Sequence, residues 1–330
     1  PNGDLLATWF SCTTEIGTEL CNVASRLRFG TTEWEDASPF FDGPDVNDHG
    51  PKLWWDGDKT LFHFARGYTE NIIRSSNEND ATWSKPRPIL PHGEIGIQII
   101  RLRDGMLVAS HDSRTISLIF SKDGGQTWQW NRLTKREGEV HPGGTYGRYP
   151  GIHAPLIELA EGRLMAFSRN DPLPDQERFA LKLALSFTND LGKSWQVEVS
   201  EFPAVTSGQR PVMLRLKEGP ILLCSFTDQV LNWKKRQGLT LKAADGSDFK
   251  GYGLYAAISV DEGKTWPVRR LITPGGPARA VPGTDCRGLF NLAPTLAEPG
   301  GYLTATQTRD GRIQLLSSRN HHVFNLAWLE

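Results

Sequence analysis

Ser121-Lys122-Asp123-Gly124-Gly125-Gln126-Thr127-Trp128 is a stretch that this chain uses more than once. Thr188-Asn189-Asp190-Leu191-Gly192-Lys193-Ser194-Trp195 and Ser259-Val260-Asp261-Glu262-Gly263-Lys264-Thr265-Trp266 fit the same pattern, Ser/Thr-x-Asp-x-Gly-x-Thr/Ser-Trp. Ser76 to Trp83 keeps the ends but has Glu78 for the Asp and Asp80 for the Gly, and Phe29 to Trp34 reads as a more worn copy. Each position has a task in a tight hairpin. The carboxylate accepts backbone N–H groups across the turn, and the glycine takes positive φ without strain. The hydroxyl bonds locally, and the Trp ring is available for burial against a neighbouring unit. These boxes are read as structural.

A second repeat runs in phase with the first. Short x-Asp/Glu-Gly hairpin signals recur at Gly3, Gly57, Gly105, Gly162 and Gly219, with Glu298-Pro299-Gly300-Gly301 as a degraded sixth. The intervals between Gly3, Gly57, Gly105, Gly162, Gly219 and Gly300 are 54, 48, 57, 57 and 81 residues. Irregular units of roughly 50 residues with turn-rich hairpins predict an all-β, six-bladed β-propeller of four-stranded antiparallel blades. The long last interval marks Gln229 to Lys250, polar and rich in Lys, Gly and Asp, as an inserted loop. Short β-branched and apolar runs, such as Leu61 to Phe64, Arg163 to Ser168 and Ile221 to Phe226, supply the strands. Tyr302 to Gln307, Ile313 to Ser317 and Val323 to Leu329 are assigned to the sixth blade.

With no interdomain linker composition, residues 1–330 read as a single domain. A formal net charge of −1 argues against a broad nucleic-acid or polybasic membrane surface. No apolar run approaches the roughly 18 residues of a membrane span. The expected compartment is extracellular or periplasmic. Cys12, Cys21, Cys224 and Cys286 lack metal-ligand spacing; Cys12 and Cys21 are close enough in sequence to bridge, but free thiols are the leading reading. No cofactor or metal is expected.

In a propeller, residues about eight to ten positions ahead of each hairpin glycine ring the axis. These are His49, Gln98, His153, Gln209 with Arg210, and Phe290 with Asn291, Arg287 lying just upstream. The returning strands deliver His111, Asp112, Arg114, Arg169 and Asp228. Imidazoles, guanidiniums and amides at equivalent offsets point to a pocket rather than to packing alone.

At this point the chain resembles the sialidase superfamily, six-bladed propellers with Asp boxes. The resemblance spans almost the whole sequence and is especially close over His153-Ala154-Pro155-Leu156-Ile157-Glu158 to Ser168-Arg169. It implies that Arg169 belongs to a carboxylate-binding Arg triad, with Arg210 as a second member. Three departures accompany it: the Glu that assists the Tyr nucleophile is His153, the nucleophile position reads as Phe290, and the Arg-Ile-Pro signature is absent.

Three functions follow. The first is an exo-acting glycoside hydrolase on an anionic glycan, carrying sialic acid or a uronate. Arg169, with Arg210 or Arg287, would clamp the carboxylate, and Gln98, Arg114 and Arg148 would complete the binding set. His49, His153, Tyr146 and Asp112 are the candidate catalytic groups, imidazole titrating near working pH. The second is a polysaccharide lyase that neutralises a uronate carboxylate with Arg and removes the C5 proton with His or Tyr. The third is a non-catalytic glycan- or protein-binding propeller. The expected partner is an oligosaccharide or polysaccharide.

Overall fold

The computed structural model describes residues 2–66, 70–77, 82–91, 93–113, 116–132, 149–169, 177, 179, 181–282 and 289–330. The fold class is the sialidase-like six-bladed β-propeller, built from small antiparallel sheets. The chain forms two compact units, residues 1–134 and 135–330.

The first unit carries three of the sheets. Leu5–Ser11, Cys21–Leu27 and Ser38–Phe41 make a three-stranded meander, where four strands were expected. Lys52–Trp55, Leu61–Arg66, Glu70–Ser76 and Arg87–Pro91 follow, then Glu94–Arg101, Leu107–Asp112, Ile116–Ser121 and Gln129–Arg132. Between these two sheets Phe62, Phe64, Ile73, Ile95, Ile99, Leu107, Ile119 and Trp128 form one buried cluster. Cys12 and Cys21 are free thiols.

Among the described residues the second unit carries three further blade sheets and three two-stranded ones. Leu156–Glu158, Leu164–Ser168, Lys182–Thr188 and Gln196–Pro203 form the fourth sheet. Val212–Arg215, Ile221–Phe226, Leu254–Ser259 and Val268–Leu271 form the fifth, whose two middle strands are buried at every residue. Thr304–Gln307, Ile313–Leu316 and His321–Phe324 form a three-stranded sixth. The chain end departs from the strand expected over Val323 to Leu329. Leu326–Leu329 is a helical turn, because the Asn325 side chain accepts the Trp328 N–H at 2.9 Å and caps it.

The Asp boxes behave as their residues dictate. Asp123 accepts the Thr127 N–H at 2.8 Å and the Thr127 hydroxyl at 2.5 Å, while the Ser121 hydroxyl accepts the Gly125 N–H at 2.8 Å. Gly125 stands at φ 90°, where a side chain would be strained. Asp190 with Ser194, and Asp261 with Thr265, repeat the pattern. The hydrogen bonds from Thr127 and Thr265 hold the Asp123 and Asp261 carboxyls down at about 2. Trp128 packs edge-on to Phe64 of the preceding sheet, with ring centres 5.7 Å apart. Trp266 likewise meets Phe167 and Phe202 of the fourth sheet at 6.0 and 5.2 Å. The Trp128 and Trp266 boxes therefore rivet their sheets to the preceding ones.

Two readings are corrected, one of the fifth repeat and one of the sixth. Its hairpin is not Glu298–Gly301 but Asp310-Gly311, which joins Thr304–Gln307 to Ile313–Leu316. Asp310 makes this turn by accepting the Thr308 hydroxyl at 2.6 Å and pairing with Arg312. The insertion Gln229–Lys250 is more than a loop. It holds a 3-10 turn at Val230–Lys235 and a hairpin of Leu239–Lys242 with Asp248–Gly251.

Candidate functional site

In the second unit, Gln209–Arg210 runs parallel to Gly301–Tyr302, with Arg210 opposite Tyr302. Backbone bonds from Gly301 N to Gly208 O, 3.0 Å, and from Leu303 N to Arg210 O, 3.1 Å, fix the register. The Gln209 amide is fully buried and spends all four of its bonding positions on this junction. It donates to Asp228 O at 2.8 Å and Pro299 O at 3.0 Å, and accepts from Thr206 N at 3.3 Å and Val230 N at 3.2 Å.

Tyr302 is the centre of the constellation that results. Arg169, 8% exposed at the end of the wholly buried strand Leu164–Ser168, donates from Nη1 to the Tyr302 hydroxyl at 3.2 Å. The Arg210 guanidinium carbon lies 5.1 Å from the centre of the Tyr302 ring. His153 meets that ring edge-on, with centres 5.4 Å apart. His153 sits at φ 52°, a left-handed conformation that only a tight turn imposes on a residue with a side chain. His153, Arg210 and Tyr302 each stand nine residues ahead of their hairpin glycines, Gly162, Gly219 and Gly311. Three consecutive blades thus contribute the equivalent position. Two guanidiniums, a phenol and an imidazole in contact can hold a carboxylate and supply a nucleophile or base beside it.

Sequence reasoning missed Tyr302. The Asp310-Gly311 turn was the available signal, and the Pro-Gly-Gly run upstream drew the hairpin away from it. Phe290, read as the nucleophile position, instead lies on Leu289–Leu292, which pairs with Arg279–Pro282 in a separate two-stranded sheet. Gln209 and Asp228 are scaffold; Asp228 accepts the backbone N–H groups of Gln237 at 2.5 Å and Gly238 at 3.1 Å and ties down the insertion.

His49, Gln98 and Asp112 belong to the first unit. His49 presents Nδ1 to Glu94 at 2.7 Å and Nε2 to Glu15 at 3.1 Å, with Phe10 against its face at 4.5 Å. Burial works to lower its pKa, but the hydrogen bond and charge of Glu94, with help from Glu15, raise it. Lys52 Nζ reaches the other Glu94 oxygen at 3.3 Å. Beside it, the fully buried Asp48 carboxyl is pushed up to about 6 by desolvation, only partly offset by the Gly43 N–H at 2.6 Å. Gln98 is half-buried in the irregular stretch of Glu94–Arg101, and Asp112 ends Leu107–Asp112 half-buried. Arg114, Tyr146, Arg148 and Arg287 lie outside the described residues. Among the described residues there is no group of three or more His, Cys, Asp and Glu placed to hold a metal ion.

The BNR repeat-like domain model matches residues 3–315, nearly the whole chain. The chain belongs to the BNR repeat-like domain family. No curated protein matches this BNR repeat-like chain in sequence. Among solved structures it is similar to a protein of unknown function from Dyadobacter fermentans, at 14% identity and TM-score 0.60, over 98% of this chain and 90% of that one. It is similar to the Hadza microbial sialidase Hz136 at 18% identity and TM-score 0.60, covering 100% of this chain and 64% of that one. It is also similar to the intramolecular trans-sialidase from Ruminococcus gnavus, at 12% identity and TM-score 0.58, over 99% and 93% of the two chains. At these identities the BNR repeat-like chain shares their fold. No helix among its described residues is long and apolar enough to cross a membrane.

Proposed function

We propose that this protein is a glycan-active enzyme of the second unit's site, a glycoside hydrolase that acts on an anionic sugar through Tyr302. The observation that carries this reading is the hydrogen bond from Arg169 to the Tyr302 hydroxyl, with Arg210 over the ring and His153 at its edge. Arg169 and Arg210 grip the sugar carboxylate, a task for which the planar guanidinium fork is suited. Tyr302 Oη attacks the anomeric carbon and passes its proton to His153, while the glycosidic C–O bond breaks and the leaving oxygen takes a proton from a general acid. Water then cleaves the glycosyl–tyrosine bond, giving a proton to the deprotonated general acid, while His153 returns its proton to the departing phenolate. Sialidases are the known exception in which a Tyr replaces the carboxylate nucleophile of retaining glycosidases. Tyr302 meets the objection that Phe290 raised, since a phenol can attack where a benzyl ring cannot.

The test uses aryl glycosides of sialic acid and of hexuronic acids, whose phenolate leaves without acid assistance. Turnover with retention of configuration is expected, with Tyr302→Phe lowering kcat at least about 1,000-fold, ~4 kcal/mol of barrier, at unchanged thermal stability. Full activity in Tyr302→Phe overturns the reading. A product that absorbs in the near ultraviolet as an unsaturated uronate shows elimination instead, with Tyr302 or His153 as the base.

A further inference from the structure

We infer that the insertion Gln229–Lys250 is a binding surface for the rest of an anionic glycan chain, flanking the sugar held at Tyr302; the inference rests on the glycan-active reading of that site. Placement is the first argument. The insertion begins where Val230 N–H bonds to Gln209, the neighbour of Arg210. Val230 also fills the space over Gly300, two residues from Tyr302: a Cβ on Gly300 would stand 3.1 Å from Val230 Cγ2. The 3-10 turn Val230–Lys235 therefore starts against the strand that bears Tyr302. Non-helical backbone at Asn232, φ −104° and ψ 16°, kinks this turn, and Trp233, Lys234 and Lys235 follow the kink.

Chemistry is the second argument. The insertion holds Lys234, Lys235, Arg236, Lys242 and Lys250 against Asp245 and Asp248, a net charge of +3 in a chain whose formal net charge is −1. Lys242 is spent on Asp248 at 2.6 Å. Lys234 and Lys235 are exposed and make no ion pair among the described residues. Trp233 is half-buried in the same turn, and Leu231 two residues before it is 65% exposed. Arg236 lies between Trp233 and Tyr252, 5.0 Å from each ring centre, and holds the indole in place. A fixed indole with two unpaired ammoniums is the combination that stacks on sugar rings and attracts their carboxylates. Basic residues in the last turn also complement the turn's own dipole. That role requires no Trp in the turn and no seat beside the site.

Direct binding tests this independently of turnover. Oligogalacturonates and oligosialic acids of one to six residues are titrated into the full chain and into Lys234→Ala/Lys235→Ala and Trp233→Ala variants. For one of the two series, affinity is expected to rise at least tenfold from one residue to six and to fall with added salt. Each variant is expected to lose most of that length dependence and to keep monosaccharide affinity. Affinity that is flat with length in both series, or equal length dependence in the lysine variant, overturns the inference. A drop in Tm with unchanged length dependence does so too, and returns the lysines to the dipole role. Loss of the Tyr302 mechanism appears separately, as turnover that survives Tyr302→Phe.

Discussion

Arg210 and Tyr302 face each other across a two-residue parallel ladder, and the Arg210 guanidinium stands over the Tyr302 ring. Parallel pairing is foreign to the antiparallel blades on either side, so this junction between the fifth and sixth sheets has a different task from theirs. It brings a residue from each into contact, while Arg169 arrives from the fourth sheet. The same junction carries the insertion on its other side, through Gln209.

Arg169→Lys keeps the charge but loses the fork. A single ammonium cannot bind a carboxylate in bidentate fashion and also donate to the Tyr302 hydroxyl, now bonded at 3.2 Å. KM for the anionic substrate is expected to rise at least about tenfold, ~1.4 kcal/mol. Steady-state kinetics on the aryl glycosides measure it, and an unchanged KM would remove Arg169 from the clamp.

Gln209→Ala cuts four hydrogen bonds and leaves the carbonyls of Asp228 and Pro299 unmet. Lost bonds and stranded buried partners together are expected to cost roughly 3–5 kcal/mol. Chemical denaturation of the intact chain reads this as a lower midpoint. Gln209→Glu keeps the shape but turns a carboxylate oxygen towards two carbonyls, so it should destabilise as well. A neutral result in both variants would show that the junction does not depend on this amide.

The architecture was legible because turn chemistry is local. Asp123, Asp190 and Asp261 each bond within their own eight residues, so their spacing reported blades without tertiary information. His153, Arg169 and Arg210 were legible for a related reason: their offsets from Gly162 and Gly219 are fixed by two-strand hairpins. Tyr302 was hidden because Glu298-Pro299-Gly300-Gly301 has turn composition but serves as a strap. Its backbone bonds to Leu254, Gln209 and Gly208 are long-range pairings with no sequence signature. His49 was legible as a titratable group but not as an ion-paired one, since Glu94 and Glu15 lie 45 and 34 positions away.

The box tryptophans should differ in worth. Trp128 is 6% exposed and wedged on Phe64, so Trp128→Ala is expected to cost about 3–5 kcal/mol. Trp195 is only half-buried, and Trp195→Ala should cost visibly less. Thermal unfolding of the two variants side by side compares them; equal losses would mean that the box Trp acts within its own turn rather than between sheets.

The first unit should weaken as pH rises. Asp48 has a folded pKa of about 6 against an ordinary 3.8, so the fold prefers its neutral form. Its contribution is greatest below the ordinary value and declines as pH rises through about 6, by at most ~3 kcal/mol. His49 has a folded pKa above its ordinary 6.5, because Glu94 and Glu15 favour the imidazolium over the opposing effects of burial and Lys52. Its contribution is complete below 6.5 and is lost as pH rises through the raised value. The two effects carry the same sign and adjoin in pH. Hydrogen exchange in Cys21–Leu27 and Lys52–Trp55, corrected for intrinsic rates, is expected to show protection falling between pH 4 and pH 8. Asp48→Asn should flatten the lower part of that decline and His49→Gln the upper part. Protection that climbs over the same range would mean that neither group is held in its protonated form by the fold.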